Sequence, residues 1–132
     1  MEEICSADGR TLAWVVRSGF SPPGVHFIGG EEHPLQLGVN TYRGGEAVRA
    51  HIHLPRETVV REVEEVVHVD HGRVSVDLFD PSGNREKTLE LSSGDTILFV
   101  AGGHGIRVLE DTRIIEVKQG PYSGKVNDKK FI

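Results

Sequence analysis

Cysteine is almost missing from this chain: its 132 residues contain one, Cys5. An internal disulfide framework is thereby excluded, and the usage fits a reducing compartment. Cys5 sits in a polar stretch with no cation beside it, so it reads as an incidental thiol. Long apolar runs are missing too, and none approaches the roughly 18 residues that a membrane-spanning helix needs. The start, "MEEICSADGR", lacks the basic and then apolar order of a secretory signal. These absences predict a cytoplasmic protein with no membrane partner. Clustered positive charge is the next gap. Fifteen Lys and Arg stand against 20 Asp and Glu, a formal net charge of −5, and the only basic run is the "DKK" at 128–130. A nucleic-acid track needs clustered Lys and Arg, so nucleic acid is not an expected partner. Helical periodicity is scarce as well. Only "RETVVREVEE" hints at a helical face, and its Thr and Val content weakens it.

What is present is alternation with a period of two. "TLAWVV", "PLQLGV", "AHIHL", "VEEVVHVD", "RVSVDLFD", "KTLEL", "TILFV", "GIRVLE" and "RIIEVKQ" all read as short strands. Turn chemistry separates them, in "SPPG", "RGG", "DPSGN", "SSGD", "AGGHG" and "EDT". Sixteen glycines suit many tight turns and leave little room for long helices. The expectation is one all-β domain over residues 1–132, a sandwich or barrel. Its core barrel covers about 35–120, strands within 11–30 form an edge or a dimer contact, and 121–132 is a short tail. Hydrophobic strands at both ends predict a homodimer.

Alternation also tells which side chains share a face. His51 and His53 point one way, with Ala50, Ile52 and Leu54 on the other. Val63, Glu65, Val67 and Val69 form a second set, otherwise apolar, so Glu65 is a carboxylate aimed at the core. A lone buried carboxylate is costly and needs a cation or donor. His104 opens a third inward set with Ile106 and Val108. Three imidazoles and a carboxylate directed into one barrel suit a first-row divalent metal, although Glu65 paired with Arg49 or Arg61 would leave it without one.

The spacing of these residues resembles the cupin family, the small double-stranded β-helix or jelly-roll barrels. In that family's first motif a glycine precedes His-x-His by five residues, and a glutamate precedes a second glycine by six. Here "GEAVRAHIH" runs from Gly45 to His53 and "EVVHVDHG" from Glu65 to Gly72, while "GDTILFVAGGH" echoes the second motif. The resemblance covers roughly residues 35–120 and implies one divalent transition metal (Zn, Fe, Mn, Ni or Cu) held by His51, His53, Glu65 and His104. Three features depart from the pattern. Eleven residues separate His53 from Glu65 where three or four are usual, Val100 replaces the usual proline, and the second motif is one residue short. Glu57, three residues beyond the histidine pair, is therefore a reserve ligand or a catalytic base. The end of the chain is similar to short bacterial cupins related to proteins of surface-polysaccharide pathways.

Three functions remain open on the sequence. One is a metal-dependent enzyme acting on a small sugar-like or carboxylic-acid substrate, as an isomerase, oxygenase or hydrolase. Another is a metal-free nucleotide-sugar isomerase or epimerase using histidine as acid and base, with Arg49 on a diphosphate and Tyr122 as an acid. The third is a module that binds a small ligand or metal without turnover. Glu65 and His104 favour the first, because metal-free chemistry needs neither. Of the other histidines, His33 in "GEEHP" and His71 beside Gly72 read as solvated turn residues, His68 as outward-facing and His26 as a satisfied strand residue. Trp14 alternates with Leu12 and Val16 and reads as core or dimer interface.

Overall fold

The computed structural model describes residues 1–132, the side chain of Val126 left aside. The alternating segments form ten strands: β1 (Glu2–Cys5), β2 (Thr11–Val16), β3 (Gly24–Ile28), β4 (Leu37–Thr41), β5 (Glu65–His71), β6 (Arg73–Phe79), β7 (Arg85–Ser92), β8 (Thr96–Phe99), β9 (Gly103–Val108) and β10 (Arg113–Lys118). A single helical turn, α1 (Lys125–Asp128), follows. The protein is thus all-β, and no helix among the described residues is long and apolar enough to cross a membrane.

Every strand pair is antiparallel. One sheet has the order β1-β2-β8-β5-β10, a second β7-β6-β9, and β3-β4 stands apart as a hairpin. The segment 11–16 is therefore interior to its sheet, and the edge falls to β1, which the sequence pattern did not single out. Period two explains which residues enter the core. Val74, Val76 and Leu78 alternate along β6 and are all sealed, beside Leu89 and Leu91 of β7. They join Val15, Val67, Val69, Ile97 and Phe99 of the larger sheet in one apolar cluster. Each large aliphatic side chain taken from water contributes roughly 1.5–3 kcal/mol, so this shared core holds the two sheets together.

Three of the four strand-to-strand passages between these sheets lie at one end. Gly72 turns β5 into β6 with φ 95°, and Gly94 sits in the β7–β8 corner with φ 86°. The β9–β10 corner closes over them: Thr112 Oγ1 accepts from Arg73 N at 3.1 Å, and Gly72 N donates to Ser93 Oγ at 3.0 Å. Asp95 ties the β7–β8 corner to the end of β2. Its carboxylate accepts from Ser18 N, Ser92 N and Arg17 Nη1, each at 2.9 Å. At the opposite end only the β8–β9 link, Val100–Gly102, passes between the layers.

One expected strand is not formed. The "AHIHL" segment lies within residues 46–60, which have neither strand nor helix, and every residue from 42 to 63 is exposed. Alternation favours an extended backbone, but a strand also needs a neighbouring edge to satisfy its N–H and C=O groups. Here the segment is an exposed arm without such a neighbour. Val63 is likewise outside β5 and 56% exposed, so it does not share the buried face of Glu65.

Candidate functional site

Glu65 and His104 come together from facing sheets. Glu65 opens β5, in register with Phe99 of β8 on one side and Lys118 of β10 on the other. His104 on β9 is in register with the sealed Leu78, which fixes its side chain inward. Phe99 acts as the floor: its ring stacks on the His104 imidazole, with centroids 3.9 Å apart and planes within 10°. His104 Nε2 then lies 3.8 Å from Glu65 Oε2. That separation is too long for a hydrogen bond.

The electrostatics push both groups toward their neutral forms. Burial raises the Glu65 pKa above its ordinary 4.5, and repulsion from Glu116 adds to it, against weaker pulls from Lys129 and Lys118. Burial likewise lowers the His104 pKa below 6.5, helped by Lys129 and opposed by Glu116. A neutral imidazole carries the lone pair that a metal or a proton requires. Glu116 shares the inner face through its register with Val67, so two carboxylates and one imidazole border this end of the interlayer space. A cavity of about 540 Å³ opens beside His104, between Phe99, Gly103 and the tail residues Phe131 and Ile132.

His51 and His53 are on the exposed arm. Their rings meet edge to face with centroids 4.9 Å apart. His51 Nδ1 lies 2.8 Å from the Arg49 carbonyl oxygen. A carbonyl only accepts, so Nδ1 carries the proton and Nε2 keeps its lone pair, the tautomer suited to ligation. The structure does not bring this pair to Glu65 and His104. Among the described residues no group of three or more His, Cys, Asp or Glu side chains is gathered closely enough to hold a metal ion. Glu57 and Arg49 are exposed on the same arm. Tyr122 is 57% exposed, with the Lys118 ammonium 4.7 Å from its ring centroid.

His33 departs from expectation. It is not a solvated loop residue: its Nδ1 is 2.7 Å from Glu64 Oε1, and the two side chains are 18% and 4% exposed. Glu64 also accepts from Leu35 N at 3.0 Å, and the His33 ring meets Trp14 at 5.2 Å. Thirty-one residues separate the two partners, so local alternation carried no sign of the pair. His26, by contrast, is satisfied within its own hairpin by the Pro23 carbonyl at 2.9 Å, and His68 by Thr96 Oγ1 at 2.9 Å.

No protein-family model, curated protein or solved structure matches the chain.

Proposed function

We propose that the chain is a cupin-type jelly-roll barrel that binds one divalent transition metal and acts on a small sugar-like or carboxylic-acid substrate. The observation that carries this is the facing pair of Glu65 and His104, an inward carboxylate and an inward imidazole presented by opposite sheets. Imidazole nitrogen and carboxylate oxygen suit Zn, Fe, Mn, Ni or Cu alike. His51 and His53 supply the remaining donors once the arm is seated, with Glu65 rather than Glu57 as the carboxylate. A bound ion of this kind supplies Lewis acidity or a more acidic water.

The chain's own residues do the rest. Phe99 fixes the plane of His104, and Lys118, held by Asp128 at 2.8 Å, places positive charge near Glu65 and next to Tyr122. The test is elemental analysis of untagged protein prepared without chelator, beside the His51→Ala variant. Near one transition metal per chain in the natural sequence, and its loss in the variant, is the expected result. No metal in either after reconstitution would overturn this function and turn the search to proton transfer by His104 or His51 on nucleotide-sugars.

A further inference from the structure

The arm and the open side of the body both expose apolar side chains. β9 is hydrogen-bonded only to β6, and β10 only to β5, so each leaves one edge unpaired among the described strands. The inward face beside those edges is uncovered. Val108 is 64% exposed although it is in register with the sealed Val74, and Ile114 is 37% exposed although it is in register with the sealed Val69. On its outward face β9 carries Gly105, where an added Cβ would meet only the edge of the Phe79 ring, at 4.0 Å. The arm is exposed as well. Ile52 and Leu54 are 91% and 87% exposed, and in a strand they would share one face, with His51 and His53 on the other.

We infer that the arm is exchanged: residues 48–54 of one copy add as an edge strand to β9 of a second copy, and the reverse contact is made by symmetry. Main-chain hydrogen bonds then satisfy the open edge. Ile52 and Leu54 then lie over Gly105 beside the Phe79 ring, and His51 and His53 turn inward toward Glu65 and Glu116. Imidazoles, alone or with a cation, answer the repulsion between those two carboxylates. The occupant is a second copy because this chain holds both surfaces, yet its own residues 42–63 are all exposed and pair with none of its described strands. A surface pair of that kind is self-complementary and closes as a two-fold dimer. In the part that concerns the ligands the inference rests on the metal-binding function proposed above. It adds that each site is shared, with Glu65 and His104 from one copy and His51 and His53 from its partner.

Complementation tests this. One variant carries His51→Ala with His53→Ala, the other Glu65→Gln with His104→Ala, and neither alone retains metal. Co-expressed, they form mixed dimers with one complete site each, and about one ion per four chains returns. Metal in the natural chain with none regained in the mixture would overturn the exchange and leave the metal site standing. Ile52→Asp with Leu54→Asp supplies a readout that needs no metal: sedimentation shows a natural dimer and a folded monomeric variant. A natural monomer, or a variant that remains a dimer, would overturn the exchange whatever the metal result.

Discussion

Glu65→Gln weakens Zn²⁺ or Ni²⁺ binding by about 100-fold or more, about 2.7 kcal/mol, whereas Glu57→Gln changes it by less than about threefold. The contrast follows from where the two carboxylates stand. Glu65 is 7% exposed and faces His104, while Glu57 lies on the solvated arm. Competition against a chromogenic chelator measures both. Equal losses, or no loss in Glu65→Gln, would remove Glu65 from the ligand set.

The metal-free proteins carry the opposite sign. The folded pKa of Glu65 is raised above 4.5, so the folded chain holds this proton more tightly than the unfolded chain. That contribution to stability is fully present below about pH 4.5 and is lost as pH rises through the folded value. Near neutral pH the natural chain therefore pays for a buried carboxylate that Glu65→Gln does not contain. Urea unfolding of the apoproteins is expected to show the variant as the more stable at pH 7, the difference closing in acid. Under the proposed metal binding the order is expected to reverse with the ion present, because only the natural side chain offers a full carboxylate.

Asp95→Ala destabilises the protein by about 2–4 kcal/mol, since two backbone N–H groups and Arg17 lose their acceptor together. Ser18 N and Ser92 N have no replacement at the β7–β8 corner, and Asp95 is only 6% exposed. Burial alone would raise this carboxyl's pKa. The N–H groups of Ser92 and Ser18 and the Arg17 guanidinium outweigh it and hold the pKa below the ordinary 3.8. The sign is the reverse of that at Glu65. Stability from Asp95 is present above about pH 3.8 and lost as pH falls through the lower folded value. Thermal melts from pH 6 to pH 2 are the check. Asp95→Asn should flatten part of the acid limb seen in the natural chain, and an unchanged limb would assign acid unfolding to other carboxylates.

Alternation made one side of the site legible and left the other closed. The inward aim of Glu65, Val67, Val69 and of His104 and Ile106 follows from period two, because each lies in a strand that is in fact paired on the side that matters. The same rule applied to "AHIHL" sets His51 and His53 apart from Ile52 and Leu54, but it carries no information about a partner edge, and the segment pairs with none of the described strands. Partnership across distance was equally out of reach, as at His33 and Glu64. Val100, where the resemblance called for proline, has a plain cause in the fold: its N–H donates to the Leu12 carbonyl at 2.9 Å, a bond that proline would forfeit. Asp95 was read only as part of "GD", and its anchoring role depends on Ser18, far away in sequence.

The corner at Gly72 sets the precision of the chemistry at the other end of β5. Seven residues of extended chain separate Gly72 from Glu65, a lever of about 20 Å. Two donors on one first-row ion stand about 3.0–3.4 Å apart, so under the proposed metal binding the 3.8 Å between Glu65 and His104 would shorten by about 0.5 Å. Over that lever the change is a rotation of about 1.5° between the layers. At Gly72 an added Cβ would strike Thr112 Oγ1 and crowd the Asp111 carbonyl, so the pivot is tightly seated. The three joined corners tie the two layers firmly at one end, and the single link at Val100–Gly102 leaves the end that carries Glu65 and His104 the less constrained.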